Sequence, residues 1–256
     1  MIAIDAELLD LSRTGLLTAV AVFLRIGAMM ALLPAFGEQM IPVRVRLATA
    51  LAFTAIVTPA VAPQLGQIEQ IRLIYFGTEA LTGLFWGILL RLLVMTLSIA
   101  GSIAAQSTSL SQILGGASVE PLPAMGHLMV MAGLTLAVIL GLHVHLAAMM
   151  IETYTITPFA QRLDADLVST IGLSHVRRAF ALAFSLAGPF VIASVLYNVA
   201  LGVINRAMPQ LMVSFVGAPA LTAGGLFLLF LTLPYILTVW SGALNAFLVQ
   251  PASAPR

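Results

Sequence analysis

LIYFGTEALTGLFWGILLRLLVMTLSIAGSIAAQSTSLSQI, residues 73–113, is the stretch on which the fold turns. It is apolar almost throughout, with Glu79 and Arg91 as its charged interruptions. Coiled as an α-helix, its roughly 40 residues reach ~60 Å, about twice the hydrocarbon core of a bilayer. A run of this length must bend back, between Gly83 and Gly87 or near Arg91, or project well out of the membrane.

The rest of the chain belongs to the same class. Of 256 residues, 61% are hydrophobic and 8% are charged, against roughly 25% charged in a soluble domain. Eleven basic and ten acidic residues leave a net charge of +1, and the mean hydropathy is +1.08. There is too little polar surface to cover a soluble globule. This excludes a soluble enzyme, a disordered chain and a nucleic-acid binder working through a basic face. The expectation is an all-α polytopic membrane protein. Cysteine is absent, so disulfides, zinc thiolates and catalytic thiols are excluded. Every basic residue is arginine, which a GC-rich coding bias explains.

Working outward from the long run, the other apolar stretches are 16–33, 47–61, 125–153, 179–204 and 211–249. The first suits one crossing and ends at Pro34. The second is short for a span and is closed by Pro59 and Pro63. Run 125–153 reads as one long span. Run 211–249 is too long for one crossing and reads as a hairpin of two helices, broken by Pro219, Gly224, Gly225 and Pro234. The acidic start, with Asp5, Glu7 and Asp10, does not fit a signal peptide. The tail 251–256 is expected to fray. A conventional count gives about six crossings within a single integral membrane domain, 1–256. Such an alternation sets Arg44, Arg46 and Arg206 on one side, with Arg13, Arg72, Arg162, Arg177, Arg178 and Arg256 on the other. Read by the bias of basic residues, both termini are then cytoplasmic.

Arg25, Glu79, Arg91 and Glu152 lie inside apolar runs. A charge at the bilayer centre costs ~2.5–3.5 kcal/mol on insertion scales, so each needs a partner or water. Without an acidic cluster at helical spacing, structural pairing is favoured over a proton path. His143 and His145 point about 200° apart on a helix and cannot chelate one metal. His127 and His175 have no acidic neighbour at ligand spacing, and no nucleophile motif or zinc motif is present. Met29, Met30, Met149 and Met150 read as adaptable core filler. No enzyme centre, metal site or cofactor site is expected. The polar segment after the long run contains Gln106, Gln112, Ile113, Leu114, Gly115, Gly116 and Glu120. It is either an ordinary connection or a pore loop whose apolar tip enters a wet cavity. Two functional classes remain: a small-solute secondary transporter or channel, and a subunit of a larger membrane machine. A transporter should show inverted repeats and a convergent midplane site. Neither is visible, which favours the subunit.

The stretch GVINRAMPQLMVSFVGAP, residues 202–219, resembles the signature of the FliR family of type III export apparatus proteins. The matching residues are Arg206, Pro209, Gln210, Gly217 and Pro219. Residues 23–53, with Arg25, Pro34, Gly37, Pro42, Arg44 and Arg46, resemble that family's N-terminal block. Residues 101–121, ending in Glu120 and Pro121, are similar to its central loop. Residues 183–202, with Pro189 and Asn198, resemble its penultimate block. Met212, Ser214 and Leu221 depart from the family pattern. The resemblance implies six to eight helices arranged as broken helical hairpins in a spiral export-gate assembly with FliP and FliQ, and with FlhB and FlhA. It implies a bacterial inner-membrane site within the flagellar basal body, in contact with lipid. The gate would pass unfolded export substrates, with 106–120 as part of a plug. The signature residues are expected to serve assembly, with Gly217 permitting a tight turn and Arg206 capping a helix end. A homologous injectisome subunit is the alternative within this resemblance.

Overall fold

A computed structural model describes residues 2–37, 41–65, 73–109, 124–208 and 213–252. Among them the chain is entirely helical. The elements are α1 Ile2–Leu32, α2 Val43–Leu65, α3 Leu73–Ser109, α4 Ala124–Ile139, α5 Leu142–Ile156, α6 Ala165–Ala207 and α7 Val213–Val249. Five of these are long and apolar enough to cross a membrane, and α4 with α5 supply a sixth crossing if the bent pair counts as one span. Lipid offers no hydrogen bonds, so a spanning chain satisfies its backbone internally, and helix is the local solution.

That rule overrides several breakers. Residues 73–109 form one helix, so the run does not bend back between Gly83 and Gly87 or at Arg91. Its length leaves projection beyond the hydrocarbon core as the remaining possibility. Residues 213–249 are likewise one helix, not a hairpin. Gly217, Pro219, Gly224, Gly225 and Pro234 all lie inside it, so Gly217 makes no tight turn. Helix α2 continues through Pro59 and Pro63 to 23 residues, long enough to span. Each proline forfeits one backbone bond but leaves the rest of the ladder intact. By contrast, run 125–153 is not one helix. It breaks at Leu140 and Gly141, where Gly141 takes φ +81°. That left-handed conformation favours glycine, so the break is written into the residue.

The chain divides into two compact units. Unit 1 contains Met1–Leu92, Leu140–His175 and Asn245–Arg256, and unit 2 contains Leu93–Ile139 and Val176–Leu244. In unit 1, α1 packs on α2, and α2 on α5. Ala21, Val22, Ile26, Met29 and Met30 form the buried stripe of α1 at helical spacing, and Leu33 just beyond its end is buried too. Gly83 and Gly87 of α3 meet this helix backbone to backbone. A Cβ at Gly83 would strike the carbonyl oxygen of Arg25, and one at Gly87 would lie 2.9 Å from that of Met29. The glycines expected to bend α3 instead let it approach α1, as small residues four apart do between membrane helices. Met149 and Met150 of α5 are buried as well.

In unit 2, Gly101 of α3 faces Gly126 of α4 so closely that a Cβ would overlap the partner's backbone. Gly133 opens space on α4 for Leu97 and the Trp240 indole. The Trp240 Nε1–H donates to the Leu93 carbonyl at 2.8 Å. An indole buried this deeply needs such an acceptor.

Candidate functional site: a buried ion pair and the groove at the end of α3

Arg25 sits in the middle of the buried stripe of α1, one helical turn above Ala21 and one below Met29. Its side chain reaches Glu79 of α3 in a two-pronged pair. Nε donates to Oε2 at 2.7 Å and Nη2 donates to Oε1 at 3.0 Å. The two side chains are 2% and 1% exposed. Nη1 donates to the Thr153 carbonyl at 3.3 Å, and the guanidinium lies 3.8 Å from the centroid of the Tyr154 ring. This is the planar fork geometry that arginine offers and lysine does not.

The pair also organises the turn after α5. Glu79 Oε1 accepts the Ala160 N–H at 3.3 Å. Ala160 has φ +64°, an uncommon state for a residue with a Cβ. Thr157 Oγ1 donates to the Thr153 carbonyl, and Trp86 Nε1 donates to Thr157 Oγ1 at 3.3 Å. One carboxylate thus joins α1, α3 and the α5–α6 turn. The expected structural role of Arg25 and Glu79 is met by pairing with each other inside the chain. Thr153, Tyr154 and Ala160 complete the cluster and were not singled out by the sequence. An apolar run with a threonine and a tyrosine in it carries no signal of which helix will face it.

Arg91 and Glu152, the other two charges in apolar runs, are exposed and form no ion pair with a described residue. Among the described residues, Glu152 Oε1 accepts the Thr155 hydroxyl, one turn along its own helix. Near the start of α2, the Pro42 carbonyl accepts the N–H groups of Val45 and Arg46 at 2.9 and 3.2 Å. Arg44 is exposed and Arg46 half-buried, with its Nε unpartnered.

Unit 2 holds an open groove of about 560 Å³ between α3 and α6. Helix α3 contributes Ile103, Gln106 and Ser107. Helix α6 contributes one face at spacings of three and four, Val191, Ser194, Val195, Asn198 and Val199. Half of its eight lining residues are valine or isoleucine, and of the polar ones Ser107, Ser194 and Asn198 are hydrogen-bonded together. The Ser194 hydroxyl donates to the Ser107 carbonyl at 2.6 Å. Asn198 Nδ2 donates to the Ser194 carbonyl at 2.9 Å and to its Oγ at 3.3 Å. The structure therefore brings Gln106 of the central-loop block and Asn198 of the penultimate block to one groove. Ser194 joins Ser107 to Asn198 there, and its sequence cue is a hydroxyl one turn before Asn198.

The remaining loop residues, Gln112, Ile113, Leu114, Gly115, Gly116 and Glu120, fall outside the described residues, as do Pro209 and Gln210. Pro189 lies exposed within α6. Arg206 lies in the last turn of α6 with its side chain exposed. It makes no hydrogen bond to another described residue, so the expected cap on the helix end is not formed among them.

The blocks that carry the resemblance thus fall in both units, and the comparison with known proteins spans them. A family model described as "Bacterial export proteins, family 1" matches residues 16–247. The chain belongs to the FliR family of type III export proteins. A flagellar biosynthetic protein FliR of Caulobacter vibrioides is 34% identical over 228 residues, covering 87% of this chain and 91% of the relative. The protein of that name from Aquifex aeolicus is 27% identical over 239 residues, covering 92% and 93%. That of Escherichia coli is 24% identical over 220 residues, covering 83% of each. These relatives are flagellar by name, which favours the flagellar over the injectisome branch for this FliR-family chain.

Proposed function

We propose that this chain is a core subunit of the export gate of the flagellar type III secretion system, in the bacterial inner membrane within the basal body. The carrying observation is the family match across residues 16–247 together with 34% identity to a flagellar biosynthetic protein over nearly its whole length. In this reading the whole chain acts as one integral membrane domain that assembles with FliP and FliQ and meets FlhB and FlhA. Together they form the channel through which unfolded flagellar proteins cross. The chain itself performs no chemistry and holds no cofactor.

Support comes from its surface. Phe180, Phe184, Ile192, Leu196, Phe227 and Phe230 are exposed on α6 and α7, more apolar area than water tolerates. Lipid and neighbouring helices would cover it. Residues 106–120 act as the closed-state plug, with the Ile113 and Leu114 side chains sealing a narrow wet pore by dewetting. Gly115 and Gly116 allow the tip to swing aside for a substrate.

Deletion of residues 113–116 tests the plug. The complex should still assemble at normal level, because helix packing holds it together. Cells overproducing the gate with this deletion should leak ions and become salt-sensitive. An assembled deletion complex with no leak would reduce the segment to an ordinary connection.

A further inference from the structure

We infer that Ser194 and Asn198 are positioning residues that hold the last described turn of α3, directly before residues 110–123. The Ser107 carbonyl lies in the last described turn of α3. It is met by the buried Ser194 hydroxyl at 2.6 Å, from a residue 87 positions away on another helix.

The direction of that hydroxyl is set by its neighbour. A hydroxyl has one proton and two lone pairs. Asn198 Nδ2 donates to Ser194 Oγ at 3.3 Å and is itself held by the Ser194 carbonyl at 2.9 Å. With a donor against one lone pair, the hydroxyl proton is turned to the Ser107 carbonyl. The relay runs Asn198 amide, Ser194 hydroxyl, Ser107 carbonyl, all within unit 2. It gives Asn198 a task that its place in an apolar run does not explain. The open groove lies alongside this turn, with Gln106 exposed at its edge. Its consequence for sealing rests on the plug reading above.

Hydrogen exchange on the purified gate complex tests the relay. Ser194→Ala should make amides 104–109 exchange about tenfold faster while α1 and α2 stay unchanged. Ser194→Thr keeps the hydroxyl, has the groove to receive its methyl group, and should restore protection. Asn198→Leu removes the orienting donor and should give a smaller rise at the same amides. Unchanged exchange in Ser194→Ala, or an equal rise across all helices, would overturn the inference. Ion leak in cells carrying Ser194→Ala separates the two readings. Faster exchange with leak supports both, whereas faster exchange in a tight, assembled gate leaves the relay standing and removes the plug.

Discussion

Arg25 and Glu79 can be buried because each is the other's counter-ion, the Thr153 carbonyl accepts from Arg25 Nη1, and the Ala160 N–H adds a second bond to Glu79 Oε1. Such a pair is weakly stabilising as a whole, yet expensive to break, since a lone buried charge costs about 3–5 kcal/mol. Glu79→Leu and Arg25→Met should each lower the stability of the purified complex by about that amount. The double variant Arg25→Met with Glu79→Leu should recover most of the loss. Thermal denaturation of the four proteins gives the coupling energy, and two additive single losses would contradict the pairing. Ala160 makes a smaller test. With φ +64°, Ala160→Gly removes a conformational penalty of about 1 kcal/mol and should leave stability equal or slightly raised. A loss above that size in the same denaturation assay would mean that the Ala160 methyl group is needed for packing.

Glycine and proline carry different messages in lipid and in water, and at the level of elements this decides what the sequence could reveal. In water a Gly-rich or Pro-containing stretch breaks a helix, which is why Gly83–Gly87 was a candidate bend in a run too long for one crossing, with projection the alternative, and why run 211–249 was expected to fold as a hairpin. In an apolar solvent the unpaired backbone groups of a break have no water to turn to, so α3 and α7 persist. The helical membrane class was legible from hydropathy and length, but the number of helices was not, since run 211–249 holds one helix and run 125–153 two. The break at Gly141 was not, because apolar residues run through it on both sides and only the backbone angle marks it. The Arg25–Glu79 pair was legible as a need for partners, but not as a partnership, since 54 residues separate the two. The part of the central loop within α3 showed itself as polarity, while its anchoring by Ser194 required knowing that α6 lies against it.

Two glycines on one helix make the contact argument testable. A Cβ at Gly83 would meet the Arg25 carbonyl, while Gly77 has open space around it. Gly83→Ala should destabilise the complex by about 1–3 kcal/mol through forced separation of α1 and α3. Gly77→Ala should be neutral or stabilising by up to about 1 kcal/mol, as expected where only helix propensity changes. Denaturation midpoints of the two variants check this, and equal behaviour would contradict the close approach.

For the whole molecule, an exposed charge inside an apolar run bears on assembly. Arg91 lies on the outward stripe of α3 with Leu84, Ile88 and Met95, all exposed at helical spacing. A guanidinium in an apolar stripe is costly unless a neighbour or water receives it. Arg91→Glu should lower the yield of assembled gate severalfold, measured by co-purification, without loosening the Arg25–Glu79 cluster. Normal assembly with the reversed charge would place Arg91 in water instead of at a subunit contact.

The most direct measurement of the central claim is the mass and subunit composition of the complex that a tagged copy of this chain brings out of the membrane in mild detergent, after co-expression with FliP and FliQ. An export-gate subunit should emerge as a hetero-oligomer containing both, and the lone chain should be unstable or aggregated. A well-folded monomer that binds neither partner and carries a small solute across a vesicle membrane would contradict the account and point to a transporter.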